Sequence, residues 1–196
     1  MYNREEELAI IRKAQAGDTE AFSILVYRYQ DGLQNLAVGM ISSRDEAEDI
    51  ASEAFVKAWH ALRSFRNESG FKTWLWRIAI NLCRSHLRRR YLQRKIFFWR
   101  DTDDEDRRGA SEEIWRDTSS DADPVRSSEN RNIRYIIKRA RRILSPRENE
   151  VFALKYDQDL AITEIAALLS LSPNTVKVLL FRATKKIAMA LKDYRK

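Results

Sequence analysis

Apolar residues recur at three- and four-residue spacing along most of this chain, the signature of amphipathic helices, with one long interruption. Leu8, Ile11 and Ala14 mark a short first helix that Gly17 ends. Asp18 is placed to cap a second, with Ala21, Phe22, Leu25, Tyr29 and Leu33 on its apolar face. Ser43-Arg-Asp-Glu46 has the form of a capping box. It predicts a third helix whose core face is Ala47, Ile50, Ala51, Ala54, Phe55, Ala58 and Leu62. A loop over 64–70 follows, and from Phe71 a long helical pattern runs toward Trp99.

Between 100 and 130 the periodicity fails. Asp, Ser, Arg and Thr dominate there, which predicts a linker. Beyond it, Ile133, Ile136, Ile137, Ala140 and Leu144 resume a helical spacing. Ser145-Pro-Arg-Glu148 is a second capping box, with Pro146 at the first helical position, where its missing N–H is harmless. Ile162 to Leu169, a break at Ser170-Leu171, and a final helix capped by Ser172-Pro173 form a helix-turn-helix. The prediction is an all-α chain of two small helical domains, 1–99 and 131–196, joined by an acidic flexible linker, 100–130.

Composition narrows the function classes. Five Gly and three Pro are too few for the turns of a strand-rich fold. There is no apolar run of about 18 residues, so membrane insertion is not expected. The acidic N-terminus lacks the apolar stretch of a signal peptide, which predicts a cytoplasmic protein. A single cysteine, Cys83, and two histidines, His60 and His86, give no internal disulfide and no zinc constellation. No metal, cofactor or catalytic residue is expected, and the chain is not read as an enzyme. The charge is informative by its placement. Eleven carboxylates face four arginines between Asp101 and Asn130, so a chain of net charge +7 carries +14 outside that segment. A basic body with an acidic middle predicts a polyanion partner.

Three surfaces carry candidate chemistry. On the last helix, Val176, Leu180, Ala183, Ile187 and Leu191 share one face, while Asn174, Val178, Phe181, Arg182 and Lys185 lie opposite. The latter is what a recognition helix offers to a major groove: groups for base edges flanked by cations for phosphates. The helix from Phe71 has two apolar stripes, Phe71, Leu75, Ile78 and Leu82, and, nearly opposite, Trp76, Ile80, Cys83 and Leu87. Such a helix is wedged between neighbours or docks a partner. Arg77, Asn81, Arg84 and Arg88 run between the stripes, and the loop Phe65-Arg-Asn-Glu-Ser-Gly-Phe71 puts aromatics beside a small tip suited to an unstacked base. Core packing is the competing reading for Phe71 and Trp74. The third helix is acidic: Asp45, Asp49 and Glu53 are four apart on one face, and like charges at that spacing repel. Such a ridge on a basic protein suggests a basic protein partner.

At this point the residues resemble a known family. Ala16-Gly-Asp-Thr-Glu-Ala-Phe22, Asp45 to Trp59 and Phe71 to Asn81 resemble region 2 of extracytoplasmic-function (ECF) sigma factors, and Leu144 to Phe152 with Ile162 to Ala183 resembles their region 4. The resemblance covers nearly the whole chain except the linker. It implies a factor that binds core RNA polymerase and directs promoter-specific initiation. Asp45, Glu46, Asp49, Glu53 and Phe55 would dock on the clamp helices of the beta-prime subunit. Phe65, Asn67, Ser69, Phe71, Arg77, Asn81, Arg84 and Arg88 would recognise and melt the −10 element. Asn174, Thr175, Lys177, Val178, Phe181, Arg182 and Lys185 would read the −35 element, with the beta flap as a further polymerase contact and an anti-sigma factor as an expected partner. After Thr175-Val-Lys177 the family usually continues Ser-Arg, whereas this chain has Val178-Leu179. That departure implies weakened or altered −35 reading and help from an additional recruiting factor. Two other readings stay open here: a DNA-binding regulator that acts without polymerase, and a helical enzyme acting on nucleic acid.

Overall fold

The computed structural model describes residues 4–41, 43–101, 136–137 and 139–193. Four helices form the N-terminal half: α1 (Arg4–Gln15), α2 (Thr19–Ile41), α3 (Arg44–Ala61) and α4 (Phe71–Asp101). A 3-10 turn, Leu62–Ser64, follows α3. The C-terminal half contains α5 (Pro146–Phe152), continued by a π-helical turn over Ala153–Asp157, then α6 (Ile162–Leu169) and α7 (Pro173–Asp193). No strand occurs among the described residues, as expected. Of the predicted linker, residues 102–130 lie outside the described residues, as do Ile133 and its flanks.

Most of the local signals act as read. Gly17 ends α1 with φ +100, and the Asp18 carboxylate accepts from the Ala21 amide at 3.0 Å to start α2. At α5 both arms of the capping box form: Ser145 Oγ accepts from Glu148 N, and Glu148 Oε2 accepts from Ser145 N at 2.8 Å. Ser170 adopts the left-handed conformation between α6 and α7, and Ser172 Oγ accepts from the Thr175 amide at 3.1 Å. The two helices turn through 107°, within the helix-turn-helix range. Ser43 is the exception. It sits at the α3 N-cap but its side chain makes no cap bond. Glu46, expected to complete the box, instead accepts from Arg90 of α4 at 2.8 Å, because a charge-assisted tertiary bond outcompetes a local amide.

The two helical domains share apolar core across their junction. One continuous buried cluster takes Leu33, Leu36, Ala37 and Met40 from α2 and Ile80 and Cys83 from α4, together with Val151, Leu154, Ile165 and Ala166 from the C-terminal half. A second, smaller cluster of Ala140, Leu144, Ala183 and Ile187 holds α7 to the segment before α5. Polar groups seal the junction. The last carbonyls of α2 have no partner within their own helix. Those of Gly39 and Met40 accept instead from Arg141 Nη2 (2.6 Å, Gly39) and Asn149 Nδ2 (3.1 and 3.3 Å). A side chain at position 39 would push on the Asp157 carboxylate that holds Arg141, so glycine leaves that pair its room.

Within the C-terminal half, Lys186 of α7 donates to Glu148 at 2.8 Å. Burial alone pushes the Glu148 carboxyl up, but the bonds from Lys186 and Ser145 outweigh it and hold it below the ordinary carboxylate range. Two predictions follow from these caps. Ser145→Ala costs about 1 kcal/mol in chemical denaturation, whereas Ser43→Ala, at a cap that does not form, costs close to nothing. Because Glu148 is depressed in the folded chain, its contribution is complete above the ordinary carboxylate pKa and is lost as pH falls through the folded value. Thermal unfolding followed from neutral to acid pH will show a steeper loss for the wild type than for Glu148→Gln.

Candidate nucleic-acid interface

The acidic ridge of α3 is partly consumed within the fold. Asp45, Asp49 and Glu53 are exposed. Glu53 pairs loosely with Lys57 at 3.0 Å, and Glu48 with Arg44 at 3.2 Å. Glu46 turns the other way, toward Arg90 and His86 of α4. Phe55, which the resemblance puts at the docking surface, is buried in the core beside Ala51 and Ala54 and supports the ridge from beneath. The residue the sequence reading passed over is Val56, 56% exposed, three positions after Glu53. Its signal was present: it breaks the Ala47, Ile50, Ala54 stripe and falls on the acidic side.

The loop before α4 stands on an aromatic base. Phe65, Phe71 and Trp74 pack at centroid distances of 4.8 Å (65–74), 5.7 Å (71–74) and 5.9 Å (65–71), and Tyr29 of α2 joins Phe71 at 5.5 Å. Phe65 and Phe71 are buried, so their rings form the core beneath the loop, and the core reading of Phe71 holds. They are walls, because a loop of this length closes over a small bundle only by filling the space beneath it. Trp74 is half-buried and keeps surface free. The tip is held from below: Gln15 of α1 donates through Nε2 to the carbonyls of Leu62 (3.0 Å) and Phe65 (2.8 Å). Asn67 and Gly70 take positive φ, 56 and 69, which turns the chain sharply and leaves Arg66, Glu68 and Ser69 outward. Gln15 lies outside every motif read from the sequence, and nothing local announces a bond 50 residues away.

Both apolar stripes of α4 are covered. Phe71 and Leu75 are buried on one, Trp76, Ile80 and Cys83 on the other. The second stripe meets α2 and the C-terminal half: Trp76 packs edge-on to Tyr29 at 5.9 Å, and its indole N–H donates to Gln158 Oε1 at 3.2 Å. Cys83 is fully buried, and burial, aided by the Glu150 charge, pushes its thiol up to about 12, so it is inert at neutral pH. Of the polar stripe, Arg77, Asn81 and Arg88 are exposed. Arg77 reaches the Ala167 carbonyl at 3.4 Å, and Arg84 is drawn into a 2.7 Å ion pair with Glu150 of α5.

On α7, Asn174, Thr175, Lys177, Val178, Phe181, Arg182 and Lys185 are all exposed, and Val176, Ala183 and Ile187 are buried. Phe181, at 68% exposure, stands free between cations, with no carboxylate on the helix before Asp193. The Thr175 hydroxyl is occupied with Ser172 Oγ at 2.8 Å, so its part is in fixing the cap. Leu179 packs against the main core, which leaves Val178 alone as the departure on the exposed face. Among the described residues no cluster of His, Cys, Asp and Glu could hold a metal ion, and no single helix is long and apolar enough to cross a membrane.

The family model "Sigma-70 region 2" matches residues 25–92, and "Sigma-70, region 4" matches 134–187. The chain is 32% identical over 187 residues to the ECF RNA polymerase sigma factor SigW of Bacillus subtilis, covering 93% of this chain and 95% of that protein. It is 31% identical over 180 residues to the ECF RNA polymerase sigma-E factor of Escherichia coli, covering 91% and 90%. A shorter stretch is 44% identical over 87 residues to the RNA polymerase sigma-H factor of Pseudomonas aeruginosa, covering 44% of this chain and 45%, less than half, of that protein. Two solved structures share the fold: CnrH in complex with the cytosolic domain of CnrY (TM-score 0.65, 23% identity, 94% of this chain and 96% of that one), and the sigma factor RpoE in complex with the anti-sigma factor NepR from Bartonella quintana (TM-score 0.66, 23% identity, 87% and 96%).

Proposed function

The chain belongs to the ECF family of RNA polymerase sigma factors, and we propose that it acts as one: it binds core RNA polymerase in the cytoplasm and directs promoter-specific initiation. One observation carries the reading. A single chain offers an exposed acidic ridge, a basic polar stripe beside an aromatic loop, and a carboxylate-free recognition face, each on a different helix. A regulator using the helix-turn-helix alone needs neither of the first two. Catalysis belongs to the polymerase, and this chain supplies address and strand opening.

In this reading residues 1–99 form region 2, and 131–196 form region 4. Asp45, Asp49 and Glu53, with Val56 among them, meet the clamp helices of the beta-prime subunit. Carboxylates there set orientation and encounter rate, and the valine adds apolar area. Asn67 and Ser69 at the loop tip, with Trp74 behind them, hold a base of the −10 element, while Arg77, Asn81, Arg84 and Arg88 follow the strand. Lys177, Phe181 and Arg182 read the −35 element, with Asn174 and Lys185 at its flanks and the beta flap behind the domain. Val178 offers a methyl contact to thymine where the family usually has a hydroxyl. An anti-sigma factor is the expected inhibitor, and a recruiting factor offsets the altered −35 contact.

Run-off transcription with purified core polymerase and genomic promoter fragments tests the reading: specific transcripts appear only when the protein is added. A protein that leaves core polymerase unbound in gel filtration rules it out. Asp49→Lys with Glu53→Lys weakens polymerase binding by about tenfold or more at low ionic strength, and the gap narrows with added salt. Val178→Ser strengthens promoters that carry a family-type −35 element by up to about 1–3 kcal/mol in competition binding. An unchanged affinity would remove Val178 from the readout.

A further inference from the structure

A cavity of about 290 Å³ opens where α2, α4 and α5 meet. Ligand clefts run from about 300 to 1,000 Å³ and often lie at domain junctions, so both its size and its place suit a small molecule. We propose that this cavity binds a nucleoside phosphate, and that the bound ligand competes with the promoter strand for Arg88. The binding stands on the cavity alone, and the competition rests on the sigma reading above.

Charge selects an anion. Arg84 and Arg88 of α4 and Arg147 of α5 line the cavity together with Glu150, so three guanidiniums stand against one carboxylate. Glu150 is 2% exposed and lies 2.7 Å from Arg84 and 3.3 Å from Arg147. One carboxylate neutralises one cation and leaves the lining positive. Helix α4 does not reduce that excess, since it carries no Asp or Glu before Asp101. Arg84 gives its Nε to Glu150, but its Nη2 is buried and meets no acceptor among the described residues. A buried donor left unmet is costly, and a phosphate oxygen is a strong acceptor for it. Arg88 is exposed and Arg147 more than half so, which lets both planar forks turn onto a phosphate.

The rest of the lining selects a flat ring. Met40 of α2 is buried, and Leu87 and Tyr91 of α4 are half-buried; all three face the cavity. A thioether, a branched alkyl chain and a phenol ring make a polarisable wall that a nucleobase covers well. Free phosphate would leave that wall bare. A nucleic-acid strand fails in the other direction, because a cleft of this volume holds one nucleotide unit and not a run of them. Arg88 also lies on the polar stripe that follows the −10 strand in the sigma reading. Its guanidinium cannot clasp a ligand phosphate and a strand phosphate at once.

Calorimetric titration of the full-length chain with ADP tests the site, with pyrophosphate and adenosine as the partial ligands. ADP should bind about tenfold or more tighter than either. Arg88→Ala with Arg147→Ala should weaken ADP by about tenfold or more, because two charged hydrogen bonds are lost. Arg12→Ala with Lys13→Ala removes the same charge from the exposed face of α1 and should change ADP affinity by less than about twofold. Tyr91→Ala keeps every charge, and it should weaken ADP while leaving pyrophosphate unchanged. No binding at about 1 mM ADP, pyrophosphate bound as tightly as ADP, or an equal loss from the α1 pair overturns the site. The competition is read from a labelled single-stranded −10 oligonucleotide at matched ionic strength. Saturating ADP should weaken its binding by about threefold or more, and an unchanged affinity overturns the competition. If the oligonucleotide does not bind even without ADP, the sigma reading and the competition fall together, while the titration still decides the site.

Discussion

The end of α2 decides how this molecule is put together. A helix that stops at Ile41 leaves carbonyls without partners, and leaving such groups buried and unmet costs about 1–3 kcal/mol each. Here they are met by a guanidinium and an amide from more than 100 residues further along the chain. Arg141 suits the place twice over, since a cation at a helix C-terminus is also favoured by the helix dipole. Its side chain is only 10% exposed and rests over the Phe152 ring, so the charge works in a partly dry setting. Without it the two halves would keep their own caps and their shared apolar core but lose the polar closure of their junction.

That closure explains why one helix, α4, has two apolar faces. The Phe71–Leu75 face belongs to the N-terminal bundle. The Trp76–Cys83 face is filled by α2 and by the C-terminal half, with Gly32 letting the Trp76 ring come within 3.0 Å of where a Cβ would stand. The junction therefore combines apolar area, which is indifferent to direction, with a few polar bonds that fix register. Buried ion pairs such as Arg84–Glu150 gain little net stability after desolvation, but breaking one by removing a partner is costly.

The fold was largely legible because it is written in local signals. The spacing of Ala21, Leu25 and Leu33, the Asp18 and Ser145 caps and the Ser170 break each act over fewer than ten residues, and each appears where it was read. The recognition face of α7 was legible for the same reason, since helical periodicity alone separates Val176 and Ala183 from Phe181 and Arg182. What escaped was non-local. Local spacing puts Glu46 in a cap, and the fold makes it an anchor for Arg90; it puts Phe65 and Phe71 at the ends of a loop, and the fold buries them as its floor. Periodicity cannot say which of two apolar stripes finds water, DNA or another helix. Nor can it find Gln15, whose part depends on a chain crossing.

The same distinction separates what holds the interface from what reads. Phe55, Phe65, Phe71 and Trp76 lie beneath the surface and fix the backbone, while Asp49, Val56, Ser69, Asn81 and Phe181 stand clear above it. Rigid support under a polar surface lowers the entropy lost when DNA or polymerase binds, because the groups are already placed. Arg84 is the residue on which the two demands meet. It lies on the polar stripe of α4 by helical phase and inside the junction by its pairing with Glu150. A guanidinium held at 2.7 Å by a buried carboxylate is fixed in place, so that single pair ties the orientation of α4 to that of α5.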